Sequence, residues 1–151
     1  MIKVKRIDHI AIAAGDCETS TRDLAELFGL PVTCREFVPA QMVDVAFLGA
    51  NPAIEVIAPA APPEGTGGLA NPGEPGNPGL SRFLERRGPG LHHICFEVED
   101  LPAALATLKQ DGIRLIDEVP RQGARGHLVA FLHPASTGGV LFELCASPHG
   151  A

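Results

Sequence analysis

Apolar and polar positions trade places through IDHIAIA (residues 7–13), the two-residue period of a strand. The period then lengthens. In TSTRDLAELFGL (residues 19–30), Leu24, Leu27 and Phe28 fall at helical spacing, a Ser or Thr is available to cap the start, and Gly29 can end the helix. Strand-like runs follow at PVTCRE (31–36), MVDVAFL (42–48) and AIEVIA (53–58), so the first part of the chain reads β-α-β-β-β.

The same order returns. LHHICFEV (91–98) is a strand, and DLPAALATLKQDGI (100–113) is a helix with Asp100 as its N-cap. Ala104, Leu105 and Leu108 face inward, and Gly112 stands at the C-terminal end. RLIDEV (114–119), GHLVAFL (126–132) and GVLFELCA (139–146) supply three more strands. Two copies of one supersecondary unit predict an α+β fold of two βαβββ modules forming paired, curved mixed sheets that face each other. The modules span residues 1–60 and 89–151, and residues 61–88 hold a Pro/Gly-rich connector and a short helix. The density of Pro and Gly in residues 58–79 excludes a regular element and reads as a solvated connector. LSRFLERRG (80–88) then forms the short helix.

Overlaying the two modules sets His9 opposite His93 and Asp8 opposite His92. Side chains alternate across a strand, so His9 and Ala11 share one face with His93 and Cys95. His92 falls on the other face, so of the adjacent pair His93 is the residue in register. The final strands repeat the placement, with Glu55 between Ile54 and Val56 and Glu143 between Phe142 and Leu144. A carboxylate inside so apolar a strand needs its charge compensated. Two imidazoles and two carboxylates at one pseudo-twofold centre suit a divalent transition metal, and His9, Glu55, His93 and Glu143 are the predicted ligands. Cys95 and Cys145 read as small apolar fillers on the same face, and His127, His133 and His149 as solvated loop residues.

Composition narrows the class. A chain of 151 residues, 45% hydrophobic and 20% charged, can bury a proper core. A formal charge of -6 and a pI near 5.4 argue against a nucleic-acid or anionic-membrane binder, which needs clustered Lys and Arg. No run approaches ~20 uninterrupted apolar residues, so no membrane span is expected. The N-terminus reads as a first strand and not as a signal peptide. The four cysteines form no CxxC pair and read as cytosolic thiols, making a cytoplasmic location the expectation.

IDHIAIA, SRFLERRGPGLHHICFEVEDL (81–101), GIRLIDEVPRQGARG (112–126) and VAFLHPASTGGVLFEL (129–144) carry a family likeness. The chain resembles the vicinal oxygen chelate superfamily of glyoxalases, bleomycin-resistance proteins and extradiol dioxygenases, and within it the methylmalonyl-CoA epimerase-like branch. The resemblance implies a divalent metal (Co, Mn, Ni or Zn) on His9, Glu55, His93 and Glu143, a homodimer, and a small-molecule substrate such as an acyl-CoA thioester. It also implies proton abstraction beside a thioester carbonyl through a metal-stabilised enolate. Glu143 is then expected both to bind metal and to exchange protons.

The chain departs from that pattern at VPAQMV (38–43), where Ala40 stands in place of the branch's usual basic glutamate and Met42 in place of a glycine. Glu36 and Asp44 are the substitutes in reach. Ala135 takes the place of a common lysine, which weakens phosphate contacts to a coenzyme A tail. Two other functions stand beside the epimerase. One is a glyoxalase-I-like or other metal enzyme of the superfamily, using a ligand carboxylate as base. The other is a non-catalytic, resistance-type binder of small molecules.

Overall fold

The structure is a computed structural model that describes residues 1–60 and 77–148. The connector expected at residues 58–79 falls mainly outside these residues, and His149 falls outside them too. The strands are β1 (Val4–Ala13), β2 (Val32–Val38), β3 (Val43–Leu48), β4 (Ala53–Pro59), β5 (Gly90–Val98), β6 (Arg121–Gln122), β7 (Leu128–Leu132) and β8 (Phe142–Ala146). They join in one mixed sheet, in the order β2-β3-β4-β1-β5-β8-β7-β6. The two half-sheets therefore meet edge to edge, through the antiparallel pair β1–β5. Each half places its last strand parallel to its first, β4 beside β1 and β8 beside β5.

The sheet curls until its ends meet. β2 and β6 stand at opposite ends of the strand order, yet Glu36 on β2 accepts a hydrogen bond from the backbone N–H of Arg125, in the 3-10 turn Ala124–Gly126 beside β6. Alternation then sorts the side chains. His9, Ala11 and Ala13 of β1, Val45 and Phe47 of β3, and Glu143 and Cys145 of β8 take the inner face. Leu48 and Val56 lie beneath the first helix, and Leu144 beneath the third.

Helix α1 (Cys17–Phe28) is capped by Asp16, whose side chain accepts from Thr19 N–H at 2.6 Å, and it ends at Gly29 in the left-handed region, φ 64°. The cap is thus an aspartate and not the Ser or Thr expected. The packed stripe is Cys17, Thr21, Leu24 and Ala25, while Leu27 and Phe28 are 74% and 64% exposed and turn to solvent. Helix α2 (Pro78–Arg87) starts on Asn77, whose side chain accepts from Leu80 N–H, and lays Leu80, Phe83 and Leu84 on the inner cluster. Helix α3 (Leu101–Gln110) is capped by Asp100 as expected and buries Leu101, Ala104 and Leu105 with Leu108 beside them. Among the described residues no helix is long and apolar enough to cross a membrane.

One expected strand is absent. RLIDEV makes a single bridge, Leu115 to Leu132, instead of a ladder. The amides of Ile116 and Asp117 both donate to the Phe131 carbonyl, and the Asp117 carboxylate accepts from Phe131 N–H at 2.8 Å. A side chain thus takes the place of a backbone acceptor, and Pro120 offers no N–H to resume the ladder. The third strand of this half is the two-residue β6 instead.

Leu101 is completely buried where α3 meets the sheet. Leu101→Ala should lower unfolding stability by about 2–5 kcal/mol, read as a lower urea midpoint at unchanged slope.

Candidate metal centre

The seam between β1 and β5 brings the two halves into near-symmetric register. His9 pairs with Cys95 and Ala11 with His93. In the flanking parallel ladders Ala11 pairs with Glu55 and Cys95 with Glu143. In each half the strand position two beyond the histidine therefore faces the glutamate, and in each half that position holds a small residue.

All four side chains are buried. His9 Nε2 lies 3.3 Å from His93 Nε2, 3.2 Å from Glu55 Oε2 and 3.7 Å from Glu143 Oε1. His93 Nε2 lies 3.5 Å from Glu55 and 3.6 Å from Glu143. Donors held roughly 2.0–2.2 Å from one divalent ion are separated by distances of this order, and hard carboxylate with borderline imidazole is a donor set such an ion accepts. Two imidazoles whose Nε2 atoms face each other between two carboxylates are otherwise a poor buried arrangement. These residues fit the metal that the fold family implies.

The electrostatics are uneven. Burial disfavours a charged His9, but the Glu55 charge and the Asp8 hydrogen bond outweigh it and raise His9 to about 10. Burial, with the charge of His9 added, holds His93 well below the ordinary imidazole range. Burial raises the Glu143 carboxyl to about 8, against the His9 charge and with the Glu55 charge. Asp8 is the reverse case: burial works to raise it, yet hydrogen bonds from His9 and Arg125 carry it far below the usual carboxylate range.

Asp8 and Arg125 were not legible as site residues. Asp8 Oδ2 accepts from His9 Nδ1–H at 2.8 Å, and its carboxylate also takes Arg6 and Arg125. The Arg125 guanidinium lies 4.1 Å over the Phe47 ring, which meets His9 edge-on. For Asp8 the only signal was its adjacency to His9. Asp8, His127 and Cys145 also lie close together, and Asp8 already accepts from two arginines and His9.

Glu36 is half-buried on β2, where its carboxylate takes the Arg125 amide and faces Cys34. Asp44 is exposed on β3, and Ala40 is exposed in the β2–β3 turn. Cys95 and Cys145 are buried with Val129 but are more than apolar fillers: hydrogen bonds with Cys95 and His127 lower the Cys145 thiol to about 6. His127 is half-buried and lines a small pocket with His9 and Glu143, so it is not a solvated loop residue. His133 accepts from Ala135 N–H.

A cavity of about 930 Å³ opens onto the centre at Glu55 and His93. Glu55 is the only carboxylate lining it among the described residues, and Arg82, Arg86, Arg87 and Arg121 give it positive charge. His9 and Glu143 lie behind, on the small pocket shared with Arg125.

A family model described as Glyoxalase/Bleomycin resistance protein/Dioxygenase superfamily matches residues 8–131. The chain is 36% identical over 143 residues to the uncharacterized protein YqjC of Bacillus subtilis (strain 168), covering 94% of this chain and 92% of that one. It is 36% identical over 144 residues to an ethylmalonyl-CoA/methylmalonyl-CoA epimerase of Cereibacter sphaeroides, covering 93% and 97% of the two chains. Among solved structures, a variant of Streptomyces coelicolor methylmalonyl-CoA epimerase in complex with 2-nitronate-propionyl-CoA superposes with a TM-score of 0.81. That match is at 27% identity and covers 98% of both chains.

A divalent ion must displace the protons that His9 (about 10) and Glu143 (about 8) carry at neutral pH. Loading the metal-free protein at pH 7 should release about two protons per ion, read by calorimetry in buffers of different ionisation enthalpy. The apparent association constant should rise by about two log units per pH unit below pH 8 and about one between pH 8 and 10.

Proposed function

The chain belongs to the glyoxalase/bleomycin resistance/dioxygenase superfamily, and on that footing we propose that it is a metal-dependent epimerase of a 2-substituted malonyl thioester, of the methylmalonyl-CoA epimerase type. One observation carries the reading. Two histidines and two glutamates converge, buried, at the end of an arginine-lined cavity, in a chain akin over nearly its whole length to such epimerases.

His9, His93, Glu55 and Glu143 would hold the ion, with Co, Mn, Ni or Zn all suited to the donor set. When bound, it supplies Lewis acidity beside the thioester carbonyl and carboxylate oxygens. The chain's own residues do the rest. Arg82, Arg86, Arg87 and Arg121 offer positive charge to the anionic groups of an acyl-CoA thioester, and buried Val43, Ile57, Leu80 and Phe131 give the cavity its apolar wall. The C2 hydrogen leaves as a proton to a Glu143 carboxylate oxygen while its bonding pair stays on the substrate. A proton delivered from water to the opposite face, forming the new C2–H bond with the retained pair, inverts the centre. Glu36 has no part in this reading, because it lines neither the cavity nor the small pocket behind it.

Ala40 leaves the return step without its own carboxylate, so hydrogen exchange should outrun inversion. The same gap supports a second reading, a glyoxalase-I-like isomerase that uses the four ligands and needs no base at position 40. A homodimer in the cytosol completes the proposal, supported by exposed Leu91, Ile116 and Val140 around the cavity and by cysteines that stand as free thiols.

Deuterium wash-in at C2 of methylmalonyl-CoA tests the reading directly. The metal-loaded protein should exchange the C2 hydrogen faster than it inverts the centre, and Glu143→Gln should abolish both. Ala40→Glu should raise inversion about 10²- to 10⁴-fold, the usual worth of a positioned base. Absence of exchange by metal-loaded protein, across several 2-substituted malonyl thioesters, would move the reading to the second isomerase.

A further inference from the structure

The β1–β5 ladder slips three times, and two of the slips skip the residue just before a candidate ligand histidine. Ile7 pairs with Phe96 and His9 with Cys95, which leaves Asp8 as an extra residue. Ala11 pairs with His93 and Ile12 with Leu91, which leaves His92 as its counterpart. A bulge re-aims the extra side chain, and both side chains have come to the same place. His9 Nδ1–H donates to Asp8 Oδ2 at 2.8 Å, and His92 Nδ1 lies 2.9 Å from His93 Nδ1. Both contacts leave Nε2 turned to the centre, where the two Nε2 atoms lie 3.3 Å apart. Resting on the metal reading above, we propose that Asp8 and His92 are paired positioning residues that fix which ring nitrogen of His9 and His93 faces the cation, and that they make the two histidines unequal donors.

The hydrogen bonding dictates the roles. A contact between two Nδ1 atoms needs one hydrogen and one lone pair. His93 must keep the Nε2 lone pair to bind a cation, so it carries its hydrogen on Nδ1 and donates to His92. His92 then carries its hydrogen on Nε2, with its ring edge-on to Phe83 at 4.8 Å. The acceptor behind His93 is therefore a neutral imidazole, half-buried and facing the cavity. The acceptor behind His9 is a fully buried carboxylate kept ionised by Arg6 and Arg125. A carboxylate behind a ligand imidazole raises its basicity more than a neutral group does. His9 is the stronger donor and His93 the weaker.

Nitrogen-15 NMR of the metal-free protein reads the tautomers without any turnover. The expected pattern is Nδ1–H for His93 and Nε2–H for His92, and a His93 found as Nε2–H would overturn the proposal. Affinity for Co(II), measured against a chromophoric chelator, reads the second half. Asp8→Ala should weaken it about 10- to 100-fold and Asp8→Asn, which keeps an acceptor but no charge, by less. His92→Phe should weaken it about tenfold, with His92→Gln restoring most of the loss. Should Asp8→Ala fail to fold with Arg6 and Arg125 left unpaired, the His92 pair and the tautomers decide. Wild-type binding with unchanged His92→Phe affinity overturns this proposal alone, whereas a wild-type chain that takes up no Co(II) overturns the metal reading together with it.

Discussion

Two carboxylates and two imidazoles share a buried space in which the nearest atoms stand 3.2–3.7 Å apart. Charge of that density cannot be left uncompensated away from water, so the site must hold protons or a cation. The surrounding strands are arranged around that demand. Ala11 faces Glu55 and Cys95 faces Glu143 across the parallel ladders, and both are wholly buried. A larger side chain at either position would fill the centre that the glutamates need. The small residues are thus part of the site, although neither carries a charge.

Much of this arrangement was legible because strand geometry is periodic. A period of two is enough to place His9 and His93 on one face and Glu55 and Glu143 on the same inner surface, whatever the sheet does at longer range. The expected helix of α3 and its Asp100 cap depend on equally local rules. What escaped depends on contacts across the fold. RLIDEV has the composition of a strand, but Asp117 captures the Phe131 amide, a competition visible only once β7 lies beside it. Leu27 and Phe28 keep helical spacing yet stay exposed, because the sheet ends beneath the earlier turns of α1.

Glu36 shows how a residue's role in the fold can depend on a partner distant in sequence. A carboxylate on a strand near a missing base is a reasonable proton carrier. In the fold it joins the two ends of the sheet, by accepting the Arg125 amide from a turn almost ninety residues away, at a separation of 89. That bond ties Glu36 to the closure of the sheet, and Glu36 lines neither the large cavity nor the small pocket behind it. Among the described residues the large cavity is lined by a single carboxylate, that of Glu55.

Arg125 links that closure to the candidate metal centre. Its backbone holds Glu36, its guanidinium lies over Phe47, and its side chain reaches Asp8, which in turn holds His9. The residue adopts φ 57°, a left-handed conformation uncommon outside glycine, and the contacts on its amide and its side chain together hold it there. Sheet curl and ligand orientation thus meet in one residue from the second half, acting on a histidine from the first. An opening of the sheet's ends would loosen His9 before it touched His93, whose support comes from its own neighbour within β5. The two histidines differ, then, in what disturbs them as well as in what stands behind them.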